Sequence, residues 1–281
     1  MRRSLFVALS ICLIATGSSG CVQSGITVQT ALPAIKTPTP PPGLSFSPAI
    51  VPTTVSTISP APTIPPTATP EPPLPKLDPT MQKALDYFME VALKSEYHGA
   101  DSKGIVKRWE QPIYIQVMGK TTKQDRACID KFLKALGNIQ GLPPVCMVEK
   151  DGNNKLYFVT LDKLDDVCPG YVKGNWAYTS INWTDYKIDS AISGIAYDKT
   201  NQKQRNHLII ERIADSLGLL NDCNRYPDSI FYDKWTETQK LAERDWLVIR
   251  MLYSPVIKAG MDEEQAKKEL ANWLASPEIK K

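Results

Sequence analysis

Two carboxylates four residues apart, Glu211 and Asp215, stand one turn from each other on a segment whose apolar residues Ile209, Ile210, Ile213, Ala214 and Leu217 recur at helical spacing. His207 precedes Glu211 by one further turn, and Asn221 and Asp222 follow. Two readings suit such a set. As metal ligands, His207, Glu211 and Asp215, with Asn221 or Asp222, would offer mostly oxygen donors, which favour calcium or manganese over zinc. Otherwise the pair is the partly solvated edge of an amphipathic helix, with an i, i+4 contact between His207 and Glu211 worth roughly a few tenths of a kcal/mol.

Arg212 limits the chemistry in either case. A general base must take a proton from metal-bound water, and arginine has no acceptor to offer. The chain holds only two histidines, His98 and His207, so a three-imidazole zinc site with an open position for water cannot be built within one molecule. No serine or cysteine has a histidine in a recognisable nucleophile arrangement. A glycine-rich phosphate loop is absent from the sequence, and Cys128, Cys146, Cys168 and Cys223 lack the CxxC spacing of a zinc knuckle.

The elements that must position these groups are legible from periodicity. Met81, Leu85, Phe88, Met89, Ala92 and Leu93 predict an opening helix within Pro79 to Tyr97, with Asp78 as its cap. Ile113 to Val117 alternates as a strand, Asp125 to Gln140 returns to helical period, and short strands are expected near Val145–Glu149, Leu156–Leu161 and Ala191–Tyr197. A long helix then starts near Gln202. Gly218 is placed to end it in the left-handed conformation that only glycine adopts without strain. Trp176, Tyr178, Trp183 and Tyr186 fall on a loop-like stretch, either packed or open for stacking on a sugar or peptide. Asn182-Trp183-Thr184 has the form of a glycosylation sequon, a tripeptide common by chance. Helix, strand, helix, strands and a long helix predict a mixed α/β sheet with helices packed on it.

The run from Glu211 to Asp222 resembles the helix and turn of matrixin-type metzincins. Aligned on Leu217-Gly218-Leu219, the zinc-binding histidine positions fall on Glu211, Asp215 and Asn221, and the general-base glutamate falls on Arg212. Ser229-Ile230-Phe231-Tyr232-Asp233 stands where the Met-turn would be, with Phe231 for its methionine, filling the cleft floor. Leu241-Ala242-Glu243-Arg244-Asp245 then leads to Leu252-Tyr253. The order of Trp109, Ile113–Val117, Asp125–Gln140 and Leu156–Val159 extends the likeness. The block from Glu211 to Met261 is also similar to the family catalogued as domain of unknown function 2927, whose pattern carries an acidic residue where Arg212 stands. Together these resemblances imply an α+β, zincin-like (matrixin-like) fold: a mixed sheet, a long former active-site helix, a Met-turn-like loop and C-terminal helices. Glu211, Arg212, Asp215 and Asn221 would be remnant positions, with no catalytic residue and no cofactor unless the calcium or manganese reading holds.

Composition frames the rest. Residues 1–20 read as a secretory signal, with Arg2 and Arg3 before an apolar stretch from Leu5 to Ala15 that is short for a membrane span. Ser18, Ser19 and Gly20 precede Cys21, which resembles a lipoprotein cleavage site whose cysteine is lipidated; ordinary signal cleavage is the alternative. Fifteen of the 23 prolines lie between Pro33 and Pro75, so residues 21–77 read as an extended stalk that cannot bury a core. Residues 78–281 have ordinary globular composition and suffice for one domain. A net charge of +3 gives no footprint for nucleic acid. Export and an even cysteine count predict disulfides, with Cys128–Cys146 and Cys168–Cys223 the expected pairing of the three possible. The function expected is that of an extracytoplasmic lipoprotein at the cell surface or in the periplasm, held to the membrane by its N-terminal lipid. Its domain would bind an envelope or extracellular protein or polymer through a remnant cleft. The alternatives are a structural envelope component or an atypical metal-dependent hydrolase using His207, Glu211 and Asp215.

Overall fold

A computed structural model of the chain describes residues 73–94 and 104–276. The signal segment, Cys21, the stalk as far as residue 72 and His98 lie outside the described residues.

Helix α1 (Pro79–Phe88) opens the domain, with the Asp78 carboxylate accepting from the Thr80 and Met81 amides. The single helix expected as far as Tyr97 does not continue in α form, because Met89–Leu93 is a turn of π-helix. Its carbonyls have other partners: Asn221 donates from its amide to Val91 O and from Nδ2 to Glu90 O, and such wide turns occur where the i→i−4 ladder is interrupted.

The strand expected at Ile113 to Val117 is present, and a two-residue strand that includes Trp109 precedes it. Strand β1 (Arg108–Trp109) pairs with β6 (Lys187–Ala196), whereas β2 (Ile113–Gly119) pairs with β3 (Val145–Val148) and β4 (Asn154–Val159). Pro112, which has no amide to donate, stands just before β2. After β2 come α2 (Lys123–Leu136), β3 (Val145–Val148), β4 (Asn154–Val159), the short α3 (Leu164–Val167), β5 (Ala177–Thr184) and β6 (Lys187–Ala196). The order β1-β6-β4-β2-β3 is parallel throughout, and β5 lies antiparallel along β6. The sheet is therefore mixed, as the element order predicts, and the described residues also form six α-helices.

The stretch read as an aromatic loop is instead this β5–β6 hairpin. Asp185 and Tyr186 both have φ near +55° (50 and 61°) and turn the chain in two residues, a conformation more often signalled by Asn-Gly. Trp183 sits under the buried Lys107 ammonium, 4.9 Å from its ring centre. The sequon asparagine, Asn182, donates to Ser190 Oγ across the same hairpin at 3.1 Å.

Helix α4 (Gln202–Ser216) lies on the sheet, capped by Asn201 and Gln204, and every residue from His207 to Ser216 is buried. Helices α5 (Glu243–Leu252) and α6 (Glu263–Ala275) complete the core.

The expected disulfides are absent, and the four thiols are free. Each sulfur has its own surroundings. Cys128 faces α4 with Sγ 3.8 Å from Asn206 O, and Cys146 is exposed on β3. Cys168 packs so tightly on β6 that a Cβ at Gly194 would fall 2.6 Å from its sulfur. Cys223 accepts from the Arg225 amide.

Candidate functional site

The turn that ends α4 is held from three sides. Gly218 has φ +111°, and a Cβ there would lie 2.3 Å from Lys107 O, so glycine answers both to the backbone conformation and to the close approach. Tyr253 Oη donates to Leu217 O at 2.9 Å, and Trp109 Nε1 donates to Ser216 O at 2.8 Å. On the sheet side, Asn154 donates to Ser216 Oγ, which in turn donates to Ile213 O.

Upstream of that turn the polar residues of α4 are inside the protein. Glu211 and Asp215 are fully buried and Arg212 is 2 % exposed, which corrects the expectation of a partly solvated edge. Arg212 Nη2 lies 2.6 Å from Glu211 Oε1 and 2.9 Å from Asp215 Oδ2. Burial alone would lower the guanidinium pKa, but Asp215, Glu211 and Asp222 around it hold it above its ordinary value. The cation thus stays charged in a site that water does not reach.

His207 extends the cluster. Its Nδ1 is 2.8 Å from Thr238 O, which only accepts, so Nδ1 carries a proton. Nε2 then faces Glu211 Oε2 at 3.3 Å. Over this end of the helix runs the segment Tyr232–Lys240, with Trp235 against both His207 and Trp176, at 5.7 and 5.4 Å between ring centres. Lys203 and Glu237 pair at 2.8 Å on its outer side.

The segment is tied at its base by Asp245 on α5. Oδ2 accepts from the Ile230 and Ala242 amides at 3.0 and 2.9 Å, and Oδ1 accepts from Ser229 Oγ at 2.7 Å and Tyr87 Oη at 3.2 Å. Burial nonetheless raises its pKa. Phe231 is fully buried. Asp245 is read from the sequence only as part of the acidic start of the last helix; the signal for its tying role is an aspartate three residues after Ala242, half of a capping box.

Among the proposed ligands, the structure brings together His207, Glu211 and Asp215 along one helix, but the Arg212 guanidinium takes the place between the two carboxylates. Asn221 is turned away, donating to Glu90 O and Asp222 O. No group of three or more His, Cys, Asp or Glu with metal-holding geometry occurs among the described residues. The donor set therefore fits neither the zinc of a metzincin nor a calcium or manganese cage, because its anions already face a cation. What the arrangement does chemically is fix buried charge.

The sequence matches the family described as "Protein of unknown function (DUF2927)" over residues 81–272. No curated protein matches it significantly. Two solved structures of myroilysin are similar in part. One has 10% identity and a TM-score of 0.38 over 59% of this chain and 93% of that one. The other has 13% identity and a TM-score of 0.39 over 66% and 98%.

Proposed function

The chain belongs to the DUF2927 family of proteins of unknown function, and from the geometry inside that matched span we propose that it is a non-catalytic, zincin-like binding domain. It is exported, held to the membrane by lipid at Cys21, and presented on its proline-rich stalk to an envelope or extracellular protein or polymer. One observation carries the reading: Arg212 sits between Glu211 and Asp215, at 2.6 and 2.9 Å, where a peptidase of this helix-and-turn pattern needs an open metal and a base. The first half of α4 is also covered. With Tyr232–Lys240 against Lys203, Gln204 and His207, the partner meets this cover at that end of the helix.

Metal content after loading with zinc, manganese or calcium tests the catalytic part. The expected result is no stoichiometric metal and no peptide cleavage. Stoichiometric metal, together with chelator-sensitive cleavage lost in Glu211→Ala and Asp215→Ala, would overturn it. The anchor is tested by metabolic labelling with palmitate: label is expected on the wild-type chain and absent from Cys21→Ala.

A further inference from the structure

Away from the charge cluster, a groove of about 430 Å³ runs between α2, α4 and the start of α5. Its floor is apolar, formed by Ala127, Phe132, Ala135, Ile210, Leu241 and Trp246. Ala127 and Ala135 lie on one face of α2, and their short side chains leave a trough that longer residues would fill. Phe132 and Trp246 meet at 6.0 Å between ring centres.

Beside the neutral Gln124, Asn206 and Gln239, the charged lining is of one sign. Lys131 comes from α2 and Lys240 from the far end of the covering segment, and no aspartate or glutamate lines the groove. Neither lysine forms an ion pair among the described residues. Nearby Asp125 is already bound to Arg205 at 3.1 Å. Lysine stems lie along apolar surface and keep their ammonium groups at the water boundary. An apolar trough of this size with two like charges at its rim complements one kind of ligand.

We infer that the groove binds a small amphiphilic anion, an alkyl carboxylate, with its chain along the Phe132 and Trp246 floor and its head between Lys131 and Lys240. The site is separate from the buried charges of α4 and stands whether or not those are catalytic.

Bromine quenches an adjacent indole, so Trp246 reports occupancy. The full chain carrying Cys21→Ala, which has no lipid of its own to compete, is titrated with 11-bromoundecanoate and with the neutral 11-bromoundecanol. Saturable quenching by the carboxylate is expected, with at least tenfold weaker binding of the alcohol. Trp246→Phe should abolish the signal. Lys131→Gln with Lys240→Gln should weaken the carboxylate at least tenfold and leave the alcohol unchanged, and Ala135→Trp should block both. Equal affinity for carboxylate and alcohol, quenching that persists in Trp246→Phe, or binding unaffected by Ala135→Trp would each overturn the assignment.

Discussion

Arg212 Nη2 and Asp215 Oδ2 meet at 2.9 Å one turn apart on α4, with 2 % of the arginine side chain and none of the aspartate exposed. On a surface helix such a pair contributes little, because water screens it. Inside a protein the balance differs: each charge has lost its hydration, and the pair persists only because each partner compensates the other. A single guanidinium on α4 thus offsets part of the charge of the carboxylates it faces.

Removing the cation should therefore be costly. Arg212→Ala is expected to lose about 3–5 kcal/mol, since Glu211, Asp215 and Asp222 would be left together in the core. Replacing the trio by apolar residues of similar size, Glu211→Leu, Arg212→Met and Asp215→Leu, should recover most of that loss. Urea denaturation of the three proteins measures both differences. A loss under about 1 kcal/mol in Arg212→Ala would place the guanidinium in a solvated setting.

Gly218 and Tyr253 should matter for the turn rather than for the cluster. Gly218→Ala faces both a φ of +111° and the Lys107 carbonyl at 2.3 Å from the new Cβ, and is expected to cost about 3 kcal/mol or more, or to prevent folding. Tyr253→Phe removes the donor to Leu217 O and the acceptor of the Trp109 amide, and should cost about 1–2 kcal/mol. Thermal unfolding of Tyr253→Phe supplies the readout if Gly218→Ala does not accumulate.

Much of this was legible in the sequence, and the misses have physical causes. Helix α4, its glycine stop and the strands β2, β3, β4 and β6 follow from local periodicity. The burial of Glu211 and Asp215 does not, because a polar residue reads as solvated unless its partner is recognised, and the partner here is the residue between them. Strand β5 was missed since Asp185-Tyr186 takes positive φ without a glycine. The disulfide expectation rested on parity and compartment, whereas pairing depends on which way each Cβ points.

Free thiols in four different settings should be separable by rate. Cys146 is exposed, while burial pushes Cys128 and Cys223 up to about 11 and Cys168 up to about 12. Alkylation of the native protein with iodoacetamide at pH 8 should label Cys146 first, with Cys128 slow and Cys168 and Cys223 protected until urea is added. Peptide mapping checks the order. Disulfide-linked peptides from protein isolated without reductant would restore the oxidised pairing. Because these three pKa values are raised on folding, the stability they contribute is present below the ordinary thiol pKa and lost as pH rises from about 9 towards 11–12.

Asp125 should govern the acid side. Its carboxylate is buried, which alone would raise its pKa, but hydrogen bonds from the Thr122 backbone, Gln202, the Thr122 side chain and Arg205 hold it below the usual carboxylate range. A folded value below the unfolded one gives stability that is fully present above about pH 4 and lost as pH falls through the folded value. Asp125→Asn removes the charge that caps α2 and pairs with Arg205, so it should cost about 1–3 kcal/mol at pH 7. That gap should narrow as pH falls below about 4 and on through the folded value, as the wild-type aspartate takes up its proton first in the unfolded and then in the folded state. Asp245, whose pKa burial raises, contributes pH dependence of the opposite sign, but it is common to both proteins and cancels in the difference. Urea midpoints of wild type and Asp125→Asn at pH 7, 5 and 3 decide the point, and a gap that stays constant over that range would show that Asp125 acts through shape and not through charge.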